Sequence, residues 1–121
     1  MKRIKDDGTP SFQGDIMLRR VETLPAAAQK ATMPEAHGGK VIAHSETGHH
    51  HVVTGDVVLY EMPGDALTRY MVARGPVEIV HHRSADTHET LELYSDGERE
   101  VVWEIVRQRE YVPKGWRRVE D

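Results

Sequence analysis

Glycine, proline and aspartate punctuate this chain about every 8–12 residues, a spacing that leaves room for strands but not for amphipathic helices. Pro10, Pro25, Gly38-Gly39, Gly55-Asp56, Pro63-Gly64, Gly75-Pro76, Ser95-Asp96-Gly97 and Pro113 are the breaks. Between them lie stretches rich in β-branched residues, such as Val57-Val58-Leu59-Tyr60-Glu61. The clearest runs from Glu100 to Gln108, where Val101, Trp103 and Ile105 alternate with Val102, Glu104 and Val106. Strict alternation is the mark of a strand with one buried face. Gly14 to Val21 reads as a first strand, and residues 49–61 read as a hairpin turning at Gly55-Asp56. Leu24 to Ala31 carries helix-favouring alanines, but the run is too short for more than a turn. The fold expected is all-β, a small single-domain barrel or two-sheet roll. It comprises a flexible lead-in over residues 1–13, a β domain over 14–112 and a tail over 113–121.

At 121 residues the chain can bury one core. Its formal net charge of −4 argues against a nucleic-acid partner. No run approaches the roughly 18 apolar residues that cross a bilayer, so no membrane partner is expected. The basic start, Met1 to Lys5, is not followed by an apolar segment of the kind found in signal peptides. Cysteine is absent, which removes disulfides and thiolate ligands. The compartment expected is the cytoplasm, of the bacterial host if the chain is phage-encoded.

The chain does concentrate imidazoles, with eight histidines in all. His49-His50-His51 follows His44, and His81-His82 precedes His88. Imidazole without thiolate suits zinc or another divalent transition metal. On a strand, His49 and His51 share a face and His50 opposes them. A third nitrogen ligand is expected from His88, at the mouth of the next strand. His49, His51 and His88 are therefore the expected metal ligands, with His82 and His44 as a fourth ligand or as supporting partners. His50 and His81 fall one residue out of that phase and are expected to face outward. The bland alternative is a wet, histidine-rich face with no ion.

An H-x-H on a strand followed by a later histidine resembles the cupins, in which a glutamate follows the pair; here Asp56 takes about that place, in the expected turn. A longer resemblance covers nearly the whole chain. It runs through Gln13-Gly14-Asp15-Ile16, Ile42 to Val53, His81 to Glu89, Arg107-Gln108-Arg109-Glu110-Tyr111 and Trp116 to Val119. Together these are similar to a family of small bacteriophage and bacterial hypothetical proteins with G-H-x-H, a later histidine and a closing R-Q-R-E-Y. That resemblance implies the choice of His49, His51 and His88 and a phage or bacterial origin, and no reaction.

The leading expectation is a small zinc-binding β-protein with a histidine-cluster site. A second is a zinc-hydroxide enzyme, a carbonic-anhydrase-like hydratase or an esterase acting on a small-molecule substrate. In it Gln108, Glu89, Thr87 or Thr90 would accept a hydrogen bond from the hydroxide, and Val53, Val58, Leu91 and Trp103 would line the pocket. A third is a metal-free phage assembly or host-interaction protein. Pairing with a copy of itself, as a homo-oligomer, would cover exposed strand edges.

Overall fold

The computed structural model describes residues 2–4, 7–32, 34–36, 39–43, 50–82, 87–93, 99–112 and 115–118. Its strands are β1 (Lys2–Ile4), β2 (Ser11–Gln13), β3 (Ile16–Val21), β4 (Gln29–Lys30), β5 (Glu35–Ala36), β6 (Gly39–Ala43), β7 (His51–Met62), β8 (Asp65–His82), β9 (Thr87–Leu93), β10 (Glu100–Arg107), β11 (Arg109–Val112) and β12 (Gly115–Arg118). Among the described residues there is no helix, and the main sheet curls into a nearly closed barrel. Its order is β2-β3-β10-β8-β7-β6-β5; β9 adds to β8, β1 to β9 and β4 to β7. β11 and β12 form a separate hairpin.

Two long strands build the wall. β7 and β8 are joined by Pro63-Gly64, with Met62 paired to Asp65. Proline followed by a glycine at φ 80° suits a type II turn. Asp65 Oδ1 then accepts from the Leu67 and Thr68 amides at 2.9 and 3.2 Å. The Leu67 amide is the main reason the Asp65 carboxyl lies below its ordinary pKa.

Gly55-Asp56 and Gly75-Pro76 do not end strands. They are irregularities at one level of the β7–β8 ladder, where Gly55 stands against Gly75, Pro76 and Val77. Gly55 and Gly75 have φ of 125° and 81°, conformations that side chains rarely adopt. A Cβ on Gly55 would lie 2.6 Å from Val77 Cγ1. At this bend β8 changes neighbour on one flank: β10 pairs with it up to Arg74, and β9 pairs from Val77 onward. Proline is tolerated at such a bulge because no ladder amide is needed there. The hairpin expected at Gly55-Asp56 is thus a bent single strand, and the true turn is eight residues further on, at Pro63-Gly64.

The sheet also reaches past the expected lead-in boundary. β1 runs parallel to β9 and places Ile4 in the core at 2% exposure, while β2 pairs with β3. At the other end Gly115–Arg118, in the expected tail, pairs with β11. Pairing satisfies backbone groups that composition alone assigns to solvent.

β10 shows the alternation legible in its sequence, with Val101, Trp103 and Ile105 buried and Val102, Glu104 and Val106 half-buried. Trp103 is fully buried and belongs to the same core cluster as Leu18, Leu59, Met71, Ile79, Leu91 and Leu93. Its Nε1 is buried with no partner among the described residues. Burying each such aliphatic or aromatic side chain favours folding by about 1.5–3 kcal/mol. Among the described residues Gln13, Asp15, His51 and His81 are the polar or charged side chains buried as a whole, and they meet at one end of the barrel.

Candidate functional site: a buried histidine, aspartate and glutamine cluster

The cluster begins with a tight turn. Gln13 pairs with Ile16, so Gly14-Asp15 is a two-residue hairpin loop between β2 and β3. Gly-Asp is a favoured loop of this length because glycine supplies the positive φ, here 56°. The loop folds over the barrel end. A Cβ on Gly14 would lie 2.6 Å from His81 Cε1, 2.9 Å from His81 Nδ1 and 3.2 Å from His51 Cε1.

His51 opens β7 and pairs with His81 near the end of β8. Directly opposed residues share a sheet face. Both are fully buried, and their rings stack with centroids 3.9 Å apart and planes 11° apart. The backbone of His88 on β9 is in turn the register partner of His81. Three adjacent strands therefore present His51, His81 and His88 at consecutive positions of one cross-strand row.

Donor counting fixes the state of His51. Gln13 Nε2 donates to the Ile79 carbonyl at 2.9 Å, so Gln13 Oε1 is the atom that faces the imidazole. That oxygen lies 2.8 Å from His51 Nδ1 and can only accept, so Nδ1 carries the proton. His51 Nε2 lies 2.8 Å from Asp15 Oδ1. A contact this short between an imidazole nitrogen and a carboxyl oxygen is bridged by a proton, so both ring nitrogens of His51 are engaged, one by Gln13 and one by Asp15. Asp15 is further held by Arg107, whose Nε is 3.5 Å from Oδ2, and its backbone carbonyl accepts from the Gln108 amide at 2.8 Å. A carboxylate buried to 1% exposure is tolerable only with such partners, because an unpaired buried charge costs several kcal/mol.

The expected site residues distribute unevenly over this geometry. His51 is at its centre. His44 and His49 lie outside the described residues, in the connection between β6 and β7. For His82, His88, Thr87 and Glu89 the backbone is described, at the paired ends of β8 and β9, and the side chains lie outside the described residues. Gln108 touches the cluster through its backbone amide. Val53, Leu91 and Trp103 belong to the packed core, and Val58 is half-buried on the other face of β7, so they do not line a cavity together. Asp56 is exposed at the β7 bend; the carboxylate beside His51 is Asp15. Among the described residues no group of three or more histidine, aspartate and glutamate side chains stands ready to hold an ion.

His81 is the clear correction. It faces inward, because Val77, Ile79 and His81 keep one parity after the Gly75-Pro76 bend and all three are buried. Counting the phase from His82 places it outward. Sequence reasoning also passes over Gln13 and Asp15. Their signal is the Gly14-Asp15 hairpin loop, set between polar Gln13 and the apolar run Ile16-Met17-Leu18.

Residues 12–108 match the family described as Domain of unknown function (DUF8820). The chain belongs to this family. The DUF8820 match spans the Gln13-Gly14-Asp15 turn, His51, His81, His88 and Arg107, and stops before Arg109. No curated protein and no solved structure matches the chain. Among the described residues no helix is long and apolar enough to cross a membrane.

Proposed function

We propose that the protein is a small metal-binding β-barrel whose histidine-rich end takes a divalent transition metal, zinc before others. The observation that carries this is His51: its Nδ1 is held by Gln13 while its Nε2 meets the carboxylate of Asp15 at 2.8 Å. An Nδ1–H donated to a fixed oxygen is how ligating imidazoles are oriented. It aims the Nε2 lone pair at the place where a second hard donor, Asp15, already stands. Two donors on one tetrahedral zinc, each about 2.0–2.1 Å from it, are separated by about 3.3 Å. Opening the Nε2–Oδ1 contact by roughly 0.5 Å would therefore admit the ion in place of a proton.

The ligand set is then His51 and Asp15, with His49 two positions along the chain and His88 from β9, which lies beyond β8 and His81 in the same cross-strand row. His82 and His44 are the alternatives for either of the last two. His81 is stacked parallel to His51, so its lone pairs run alongside rather than converge, and it packs the ring in place. Four protein ligands make a closed, non-catalytic site. Zinc titration by calorimetry tests this. We expect one ion per chain, proton release on binding, and loss of most affinity in Asp15→Asn. Absence of saturable zinc binding by the folded protein counts against the reading.

A metal-free reading has its own support, because the bonds to Gln13 and Asp15 satisfy His51 without any ion. The cluster would then clamp the β2–β3 hairpin, in a phage assembly or host-interaction protein, and a chelator would leave stability unchanged. The hydratase or esterase reading requires Asp15 to stay off the ion so that water keeps a position. Equal carbon dioxide hydration and nitrophenyl ester hydrolysis by wild type and His51→Ala would remove it.

A further inference from the structure

We propose that the β11–β12 hairpin binds single-stranded nucleic acid, through the face on which its register sets an arginine pair beside an aromatic pair. Among the described residues β11 and β12 pair only with each other. Arg109 stands opposite Arg118, Glu110 opposite Arg117 and Tyr111 opposite Trp116. Directly opposed residues share a sheet face, and successive residues alternate between faces. Arg109, Arg118, Tyr111 and Trp116 therefore fall on one face, and Glu110, Arg117 and Val112 on the other. The chain's net charge of −4 averages two unlike parts. Residues 109–118 hold Arg109, Lys114, Arg117 and Arg118 against Glu110, a formal +3, which leaves −7 for the rest. A basic arm on an acidic body is a pattern that overall charge conceals.

The order of the two pairs selects the class of ligand. Like charges at directly opposed positions destabilise a ladder. An anion shared by Arg109 and Arg118 turns that cost into charge-assisted contacts, and the guanidinium fork matches phosphate oxygens. The aromatic pair lies two residues further along, about 6.8 Å at the roughly 3.4 Å per residue of an antiparallel strand. That step is comparable to the length of one nucleotide in an extended single strand. A phosphate at the arginine pair thus brings a neighbouring base to the aromatic pair. Stacking accepts any base, so recognition is of unpaired nucleic acid without regard to sequence. In a duplex the bases are already stacked on one another. A lipid surface calls for a broad apolar face, and the two strands carry one aliphatic residue, Val112, on the face away from Tyr111 and Trp116. An isolated two-stranded hairpin is marginally stable in water, so a strand bound along this face also stabilises it.

The inference does not depend on an ion at the histidine cluster, and its test uses the full chain treated with a chelator. A labelled oligothymidylate of roughly ten nucleotides is titrated with protein and followed by fluorescence anisotropy at rising salt. Saturation is expected, with a dissociation constant on the order of 10 μM in low salt and a log–log salt slope near −1.4, about −0.7 for each of two phosphate contacts. Trp116→Ala should weaken binding about tenfold, and an abasic strand of the same length should bind wild type about tenfold more weakly than oligothymidylate. Arg118→Gln should also weaken binding about tenfold, whereas Arg117→Gln, which removes the same charge from the other face, should cost little by comparison. The abasic comparison uses wild type alone, so it holds even where a variant disturbs the hairpin. No saturation, equal binding of the abasic strand, equal losses in Arg117→Gln and Arg118→Gln, or tighter binding to phosphatidylserine vesicles than to the oligonucleotide would each overturn the proposal.

Discussion

Replacing Gly14 by alanine probes the buried cluster through its most confined atom. Two costs combine. The first is conformational, because φ at Gly14 is 56° and a non-glycine residue in that region loses about 1–2 kcal/mol. The second is steric. The new Cβ would sit 2.6 Å from His81 Cε1 and 2.9 Å from His81 Nδ1. His81 cannot swing aside, because it is fully buried and stacked on His51, which is itself tied to Gln13 and Asp15. Overpacking of this kind costs about 1–3 kcal/mol. Gly64→Ala is the internal control: its φ of 80° carries the conformational cost, and a Cβ there meets nothing within 4 Å. Urea unfolding should therefore show Gly14→Ala destabilised by about 2–5 kcal/mol, and Gly64→Ala by only about 1–2 kcal/mol. The gap between them is the steric part. Equal losses in the two variants would mean that Gly14 does not pack on the imidazoles, and the cluster as described would be wrong.

Asp15→Asn keeps the shape of the side chain and removes the charge that faces His51 and Arg107; breaking a buried pair this way should cost about 3 kcal/mol in denaturant unfolding, and a loss under about 1 kcal/mol would refute the pairing. Tyr70 is held above its usual pKa of 10.0, chiefly by burial and then by its hydrogen bond to Glu104. A raised phenol favours the folded state fully below the unfolded value near pH 10 and loses that contribution as pH rises through the folded value. Stability should thus decline more steeply above pH 10 in wild type than in Tyr70→Phe, as followed by denaturant midpoints at several pH values; parallel declines would contradict it. Chelator treatment should lower the melting temperature of wild type and leave that of His51→Ala unchanged, since only the former has an ion to lose.

Much of the architecture is legible in the sequence because alternation is a local signal. Val101, Trp103 and Ile105 declare their face without reference to any other strand. The bends are not local. Gly55-Asp56 and Gly75-Pro76 are the residue types of a turn and equally those of a bulge, since both need a backbone at positive φ. Only the cross-strand partner decides, and that partner is set by the Pro63-Gly64 hairpin. β1 is hidden for a related reason: Ile4 is one apolar residue amid charge, and its burial depends on pairing with β9. The histidine end is legible as a concentration of imidazoles, and His51 follows from strand parity. His81 follows from the same rule applied to Val77 and Ile79. Asp15 and Gln13 are harder, because their meaning comes from a turn that meets β7 and β8 only after the barrel has closed.

The most direct test of the proposed function is the metal content of untagged protein purified without added metal, measured beside Asp15→Asn. The account predicts close to one zinc per chain in wild type, lost from the variant while its strand content persists. Wild type that is free of stoichiometric metal and takes up none when zinc is supplied would contradict it, and would leave His51 and Asp15 as a buried hydrogen-bonded pair alone.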